Sequence, residues 1–156
     1  MTPKKIMVPL DGSRLAEVAL REAFDFGRRG ATVVLFRAVE TKRLPTSDPV
    51  DAQVTAVREA EGYLESIAMR ARLAGVEKVE TSVWYGAATE SIIDAARVRD
   101  IDLIVMSSHG RTGLGRLMLG SVAESVLRGT TTPILLLRDR EVPVTTPEAM
   151  KEALHV

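Results

Sequence analysis

The stretch from Asp102 to Ser121 contains the residues whose types and spacing could bind a ligand. An almost continuous apolar segment, residues 101–106, leads into a loop that begins at Ser107 and contains four glycines, Gly110, Gly113, Gly115 and Gly120. Residues 121–128 then carry apolar side chains at helical spacing. Glycine lets the backbone approach a ligand closely, and a helix N-terminus offers unpaired N–H groups to an anion. The pattern predicts a phosphate-binding loop, and the alternative is a mobile surface loop joining a strand to a helix.

The loop matches neither of two standard phosphate-binding motifs. Gly-Lys-Ser/Thr is absent, and Gly110-x-x-Gly113-x-Gly115 reverses the spacing of the dinucleotide fingerprint. The loop does contain Ser107-Ser-His-Gly110, nine residues, then Gly120-Ser121. This pattern resembles the nucleotide loop of the universal stress protein family, in which Gly-x-x-Gly, nine residues and Gly-Ser/Thr wrap the phosphates of ATP. Ser107 departs from it, because ATP-binding members usually have glycine at that position.

The resemblance extends from Lys4 to Arg138 and implies an ATP site assembled from several segments. Residues 9–11 match the contacts of the first strand to base and ribose, and Ala38 matches the residue whose backbone reads the adenine edge. Ser107 would lie under the ribose, and the loop glycines with Ser121 would hold the phosphates. The residues predicted to bind the nucleotide are Pro9, Leu10, Asp11, Ala38, Met106, Ser107, His109, Gly110, Arg111, Gly120, Ser121 and Val122.

Asp11 and the loop histidine have simpler interpretations as well. Asp11 precedes Gly12, and aspartate is common in turns, but at the carboxyl end of a strand its carboxylate could also accept hydrogen bonds from ribose or adenine. His109 stands without a cysteine or a carboxylate partner, so we assign no catalytic residue and no metal ligand. Arg111 and Arg116 could screen phosphates or could simply be solvated surface charges.

The composition is typical of a single soluble globular domain. Hydrophobic residues make up 46% of the 156 residues and charged residues 27%. Lys+Arg and Asp+Glu are both 21, so no overall field favours nucleic acid or an anionic membrane. The absence of cysteine excludes disulfides and thiolate sites. No apolar run approaches the roughly 18 residues of a membrane helix, and no signal segment is apparent, so we expect a cytoplasmic protein.

Periodicity predicts five strands that alternate with four helices. The strands are expected at residues 5–10, 31–39, 79–84, 101–106 and 133–138. The helices are expected from Ser13 to Gly27 or Gly30, from about residue 52 to 74, and at 87–99 and 121–128. This alternation indicates an α/β fold, a doubly wound parallel sheet with helices on both faces. Two strand orders fit it; we predict 3-2-1-4-5, which places the ligand crevice between the first and fourth strands.

The chain divides into a nucleotide-binding domain at residues 1–138 and a C-terminal extension at residues 139–156. Pro143 breaks the last strand, and residues 146–154 could form a short helix that is either frayed or packed on a partner. The family resemblance implies a dimer through the fifth strand. The apolar edge at residues 134–137 would need covering, which supports a homodimer.

Two functions are compatible with these features. The first is an ATP-binding stress or regulatory protein in which ATP, with Mg²⁺ or Mn²⁺ held mainly by the phosphates, acts as a switch or stabiliser. At most very slow hydrolysis or self-phosphorylation is expected, so the protein is not predicted to be an enzyme. The second is an interaction module of the same fold that no longer binds ATP, which Ser107 favours. A phosphoacceptor receiver domain fits less well, because Trp84-Tyr85 stands where an acid would be needed.

Overall fold

The computed structural model describes residues 2–40, 48–108 and 120–138. Its strands are β1 (Lys5–Pro9), β2 (Thr32–Val39), β3 (Val79–Tyr85), β4 (Leu103–Ser107) and β5 (Ile134–Leu137). Its helices are α1 (Leu20–Arg28), α2 (Pro49–Leu73), α3 (Ala88–Val98) and α4 (Ser121–Gly129), and a 3-10 helix (Ala16–Ala19) precedes α1. None of the helices in these ranges is long and apolar enough to cross a membrane.

The five strands form one parallel sheet in the order β3-β2-β1-β4-β5. The predicted fold class and strand order are confirmed. This order places β1 at the centre, which explains why Ile6, Met7 and Val8 are completely buried. β3 and β5 form the two edges of the described sheet. Within it, β3 pairs with β2 alone and β5 pairs with β4 alone.

Helices cover both faces of the sheet and divide the core in two. On one face, α1 and α2 pack against alternate strand residues such as Val8 and Leu35. On the other face, α3 and α4 pack against the intervening residues, among them Met7 and Phe36. Because successive residues of a strand point to opposite faces, a continuous apolar run in each central strand supplies both halves of the core.

The described structure corrects several boundaries predicted from the sequence. α2 begins at Pro49 rather than about Ala52, because the Asp48 carboxylate caps it by accepting the Val50 N–H at 2.9 Å and proline suits the first helical turn. β4 begins at Leu103 and includes Ser107, which had been assigned to the loop. The predicted C-terminal helix and the loop residues 109–119 lie outside the described residues.

Asp102 is the one charge in the apolar segment that precedes the glycine loop. Its Oδ2 accepts the backbone N–H groups of Lys4 and Lys5, each at 2.9 Å. Its own N–H donates to the Lys5 carbonyl at 2.9 Å. The carboxylate therefore joins the amino end of β1 to that of β4 and helps to set the register between the two central strands.

Gly27 does not end the first helix, as its residue type had suggested. It lies buried inside α1, where a Cβ atom would come within 2.6 Å of one methyl group of Val76 and 2.9 Å of one of Val33. Glycine is needed at this position because the helix lies so close to the sheet and to the segment that follows α2. Gly62, in the exposed part of α2, has nothing within 4 Å of the Cβ position.

This contrast predicts opposite effects for one substitution at two helical glycines. Gly27→Ala should lower the free energy of unfolding by about 1–3 kcal/mol, because the methyl group overpacks a core made of β-branched side chains. Gly62→Ala should raise it by about 0.5–1 kcal/mol, because alanine is the better helix former. Urea unfolding of the two variants measures both values. Equal destabilisation by the two substitutions would contradict the packing described for Gly27.

Candidate functional site

A pocket of about 230 Å³ opens at the carboxyl ends of the central strands. Nine of the residues predicted to bind a ligand line it: Pro9, Leu10, Asp11, Ala38, Met106, Ser107, Gly120, Ser121 and Val122. The other three predicted residues, His109, Gly110 and Arg111, lie outside the described residues. Seven further residues line the pocket without having been predicted: Ser13, Leu15, Ala16, Phe36, Ala88, Ile92 and Ala123.

The pocket lies where the chain leaves two neighbouring strands in opposite directions. After β1 the chain turns towards the face covered by α1, and after β4 it reaches the face covered by α4. The two strands pair through Ile6 with Leu103 and Met7 with Ile104. Beyond these residues, towards Pro9 and Ser107, the two strands do not pair with each other. Proline has no N–H to donate, so Pro9 could not extend the ladder as a donor. The crevice is therefore a product of topology.

The turn after β1 holds Asp11 at the pocket. The Asp11 Oδ1 accepts the Ser13 N–H at 2.8 Å, and the Ser13 hydroxyl oxygen accepts the Ala16 N–H at 3.2 Å. Gly12 between them has φ +86°, a conformation that other residues rarely adopt. The turn thus fixes its own backbone through short polar side chains, and Asp11 remains exposed at the pocket.

Two helices begin at the pocket and direct their N-termini towards it. Gly120 is the N-cap residue of α4 and has no side chain with which to cap it. The N–H groups of the first turn, from Ser121 to Ala123, have no acceptor within the helix. Ala88 is the first residue of α3, whose N-cap, Ala87, also makes no side-chain capping bond. The positive ends of both helix dipoles therefore favour a negatively charged group in the pocket.

The part of the pocket between β2 and α3 is apolar. Phe36 and Ala38 of β2 lie on the face covered by α3, and Ile92 of α3 faces them. Phe36 is completely buried and meets the ring of Trp84 edge to face, with the centroids 5.9 Å apart. Together with Met106, these residues form a wall suited to a flat, weakly polar group.

Sequence reasoning predicted Ala38 and Met106 of this wall but missed Phe36 and Ile92, which look like ordinary core. Phe36 could have been found, since strand alternation places it on the same face as the predicted Ala38. Ala88 and Ile92 could have been found from the rule that loops after strand ends build the ligand crevice, because α3 begins soon after β3 ends. The residue types themselves carried no signal.

No group of three or more His, Asp or Glu side chains suited to a metal ion occurs in the described ranges, 2–40, 48–108 and 120–138. The titratable side chain that lines the pocket there is Asp11. The polar contacts that this part of the pocket offers are one carboxylate, serine hydroxyls and the N–H groups of the two helix N-termini. Such a set can bind and orient an anion.

Tyr63 of α2 packs against the core on the face of the sheet that α1 and α2 cover. Its hydroxyl is buried and makes no hydrogen bond within the described part of the chain. Burial raises the pKa of Tyr63 to about 12, and the nearby carboxylates of Glu17 and Asp11 act in the same direction against the lowering effect of Arg37 and Arg70. The phenol therefore stays neutral in the folded protein well above its ordinary pKa.

This pKa predicts a loss of stability at alkaline pH that depends on the hydroxyl. Between pH 10 and about 12 the unfolded tyrosine loses its proton while the folded one keeps it, so the stability of the native state falls as pH rises. Tyr63→Phe should remove this part of the pH dependence and leave the stability at pH 7 unchanged or slightly higher, because no hydrogen bond is lost. Urea unfolding of both proteins at pH 9 and pH 11 measures the difference. Parallel losses in the two proteins would contradict the assignment.

Comparison with known proteins gives a consistent result. The model of the "Universal stress protein family" matches residues 2–138. A universal stress protein from Staphylococcus aureus is 31% identical over 148 residues, which cover 92% of this chain and 89% of the relative. The solved structure of protein MJ0577 superposes with a TM-score of 0.77 at 28% identity, covering 90% of this chain and 99% of that one.

Two more distant structures of the same fold contain nucleotides. A universal stress protein solved in complex with cAMP has a TM-score of 0.67 at 22% identity, covering 88% of this chain and 98% of that one. A universal stress protein family member from Arabidopsis thaliana, with AMP bound, has a TM-score of 0.61 at 16% identity, covering 94% of this chain and 99% of that one. At these identities the likeness concerns the fold.

Proposed function

The chain belongs to the universal stress protein family, and we propose that it is a nucleotide-dependent regulatory protein whose pocket binds ATP. The observation that carries the proposal is the pocket itself. An apolar wall, an exposed carboxylate and an uncapped helix N-terminus meet in one crevice, as a base, a ribose and a phosphate chain would require. Two proteins of the same fold that bind cAMP and AMP support an adenine nucleotide as the ligand class.

The adenine is proposed to lie near Ala38, with the buried Phe36 behind that part of the wall, and the ribose near Asp11 and Ser107. A carboxylate suits the ribose because it accepts hydrogen bonds from both hydroxyl groups. Ser107, at the end of β4, lines the same part of the pocket and is only partly buried. Its hydroxymethyl group takes up space that glycine would leave free.

The phosphates are proposed to lie over Gly120 and Ser121, at the start of α4. There the N–H groups of the first turn can donate to phosphate oxygens, and the Ser121 hydroxyl adds a donor. His109, Gly110 and Arg111 are proposed to complete the phosphate site. Mg²⁺ or Mn²⁺ would be bound mainly by the phosphates, because the described residues offer no carboxylate cluster for it.

We propose ATP as a bound effector rather than a substrate that is turned over. Fast phosphoryl transfer needs a group that positions the attacking oxygen, together with cations held on the transferred phosphate. Around the described part of the pocket, Asp11 is the one candidate base, and it lies on the side assigned to the ribose. At most very slow hydrolysis or self-phosphorylation follows from this arrangement.

Gly120→Val provides the most direct test of the phosphate site. Gly120 has φ −57° and ψ 151°, which valine also adopts, so the substitution should leave the fold intact. The added side chain should push the phosphates away from the helix N-terminus and weaken ATP binding at least tenfold, which corresponds to roughly 1.4 kcal/mol. Calorimetric titration with Mg-ATP measures the change. Ser107→Gly is the matched control and should bind ATP as tightly as the wild type or more tightly.

Each other outcome of these titrations leads to a different conclusion. Wild-type affinity in Gly120→Val would mean that the phosphates bind elsewhere. Binding that appears only in Ser107→Gly would identify the chain as the interaction module that no longer uses ATP. No binding in any of the three proteins would refute the nucleotide proposal.

We also propose a homodimer through β5. The carbonyl groups of Pro133 and Leu137 accept the N–H groups of Ile104 and Ser108, so the intervening Ile134 and Leu136 direct their backbone polar groups to the free edge. All four residues of β5 are partly exposed. An unpaired edge of partly exposed apolar residues favours pairing with a second copy.

Sedimentation velocity tests the assembly. The full chain should sediment as a dimer at tens of micromolar, and a monomer under those conditions would contradict the proposal. Removing residues 139–156 tests separately whether the C-terminal extension takes part. A truncated chain that remains fully dimeric would exclude the extension from the interface and leave the edge pairing in place.

A further inference from the structure

Arg37 is a charged residue at a position where the strand pattern calls for an apolar one. It lies near the end of β2, on the same face as the buried Val33 and Leu35, against which α2 packs. Phe36 and Ala38, its immediate neighbours, point to the other face and line the pocket. Arg37 itself does not line the pocket, and it was not among the residues predicted to bind the ligand.

The guanidinium group of Arg37 is packed against two other groups. Its Cζ lies 5.1 Å from the centroid of the Tyr63 ring, which is cation–π distance. A Cβ atom on Gly12 would lie 3.3 Å from Nη1 and 3.4 Å from Nη2, so the guanidinium lies directly against the turn that follows β1. Both neighbours of Gly12, Asp11 and Ser13, line the pocket.

We propose that Arg37 is a positioning residue for ligand binding: stacked on Tyr63, its guanidinium supports the Asp11–Ser13 turn from behind and holds the Asp11 carboxylate at the sugar side of the pocket. This inference rests on the proposed function, because it assigns Asp11 to the ribose. It assigns a role in ligand binding to a residue outside the pocket. Because Tyr63 belongs to α2, it also gives that helix an influence on ligand affinity.

The chemistry of this position explains the residue type. A guanidinium is planar and weakly hydrated, so one plane can lie against an aromatic ring and a glycine backbone together. The ammonium group of lysine is compact and strongly hydrated, and it cannot reproduce this packing. Glycine suits position 12 for two reasons. Its φ is positive, and the guanidinium occupies the space that a side chain at this position would need.

A double-mutant cycle with two nucleotides tests the inference. Arg37→Ala should weaken ATP binding about five- to tenfold, and Arg37→Lys should behave similarly, because neither residue supports the turn. Both should affect 2′,3′-dideoxy-ATP much less, since that ligand lacks the hydroxyl groups that Asp11 would hold. The double variant Arg37→Ala, Asp11→Ala should bind ATP no more weakly than Asp11→Ala alone, because a positioning residue has no effect once its target is gone.

Three variants provide controls for the aromatic contact and for charge. Tyr63→Phe keeps the ring and should bind ATP like the wild type, whereas Tyr63→Ala should resemble Arg37→Ala. Arg70→Ala removes a second positive charge near Tyr63, one that pairs with Glu17 at 2.6 Å, and should leave the discrimination between ATP and dideoxy-ATP unchanged.

A measurement without nucleotide separates this inference from the proposed function. The Ser13 N–H donates to Asp11 in the turn, so its hydrogen exchange in the free protein, followed by NMR, should become several-fold faster in Arg37→Ala. Unchanged exchange would overturn the inference even if ATP binds as proposed. Additive losses in the cycle, or equal losses for both nucleotides, would also overturn it. A wild type that binds no nucleotide would instead refute the proposed function.

Discussion

The pairing of β1 with β4 is the interaction on which the rest of the molecule depends. At their amino ends the two strands are joined by the Asp102 carboxylate, which accepts the N–H groups of Lys4 and Lys5. The pairs Ile6 with Leu103 and Met7 with Ile104 follow. Towards their carboxyl ends the pairing stops and the chain leaves the two strands on opposite faces of the sheet. The contact at the amino ends therefore fixes the register between β1 and β4. The gap between their carboxyl ends leaves the crevice open.

This arrangement gives the pocket two chemically different sides. α3 packs over β2 and brings Ile92 opposite Phe36 and Ala38, so one side is apolar. α4 begins at Gly120 on the other side and supplies N–H groups without a capping side chain. The residues that form each side are far apart in the sequence and meet because all parallel strands end at the same edge. The position of the two sides therefore follows from the fold, and the residue types determine how apolar or polar each side is.

Much of this could be predicted from the sequence, and the exceptions share a physical cause. Periodicity predicted the α/β class, and the observed strand order is one of the two that fit it. The glycine loop and the family resemblance together predicted nine residues that do line the pocket. Gly27 was misread as a helix end because its need for close packing comes from Val33 and Val76, which lie elsewhere in the chain. Arg37 was missed for the same reason, because its role depends on contacts with Tyr63 and Gly12 that no local pattern encodes.

The kind of donors around the pocket also bears on what a bound nucleotide could do. Backbone N–H groups at a helix N-terminus do not titrate, and they would hold a phosphate chain in much the same way before and after a reaction. Interactions of equal strength in the ground state and the transition state do not accelerate chemistry. They do stabilise whichever conformation binds the ligand, by an amount that grows with the logarithm of ligand concentration once the site is mostly occupied. Under the proposed function, a pocket built in this way would respond to nucleotide concentration, and the Arg37–Tyr63 contact would connect α2 to that response.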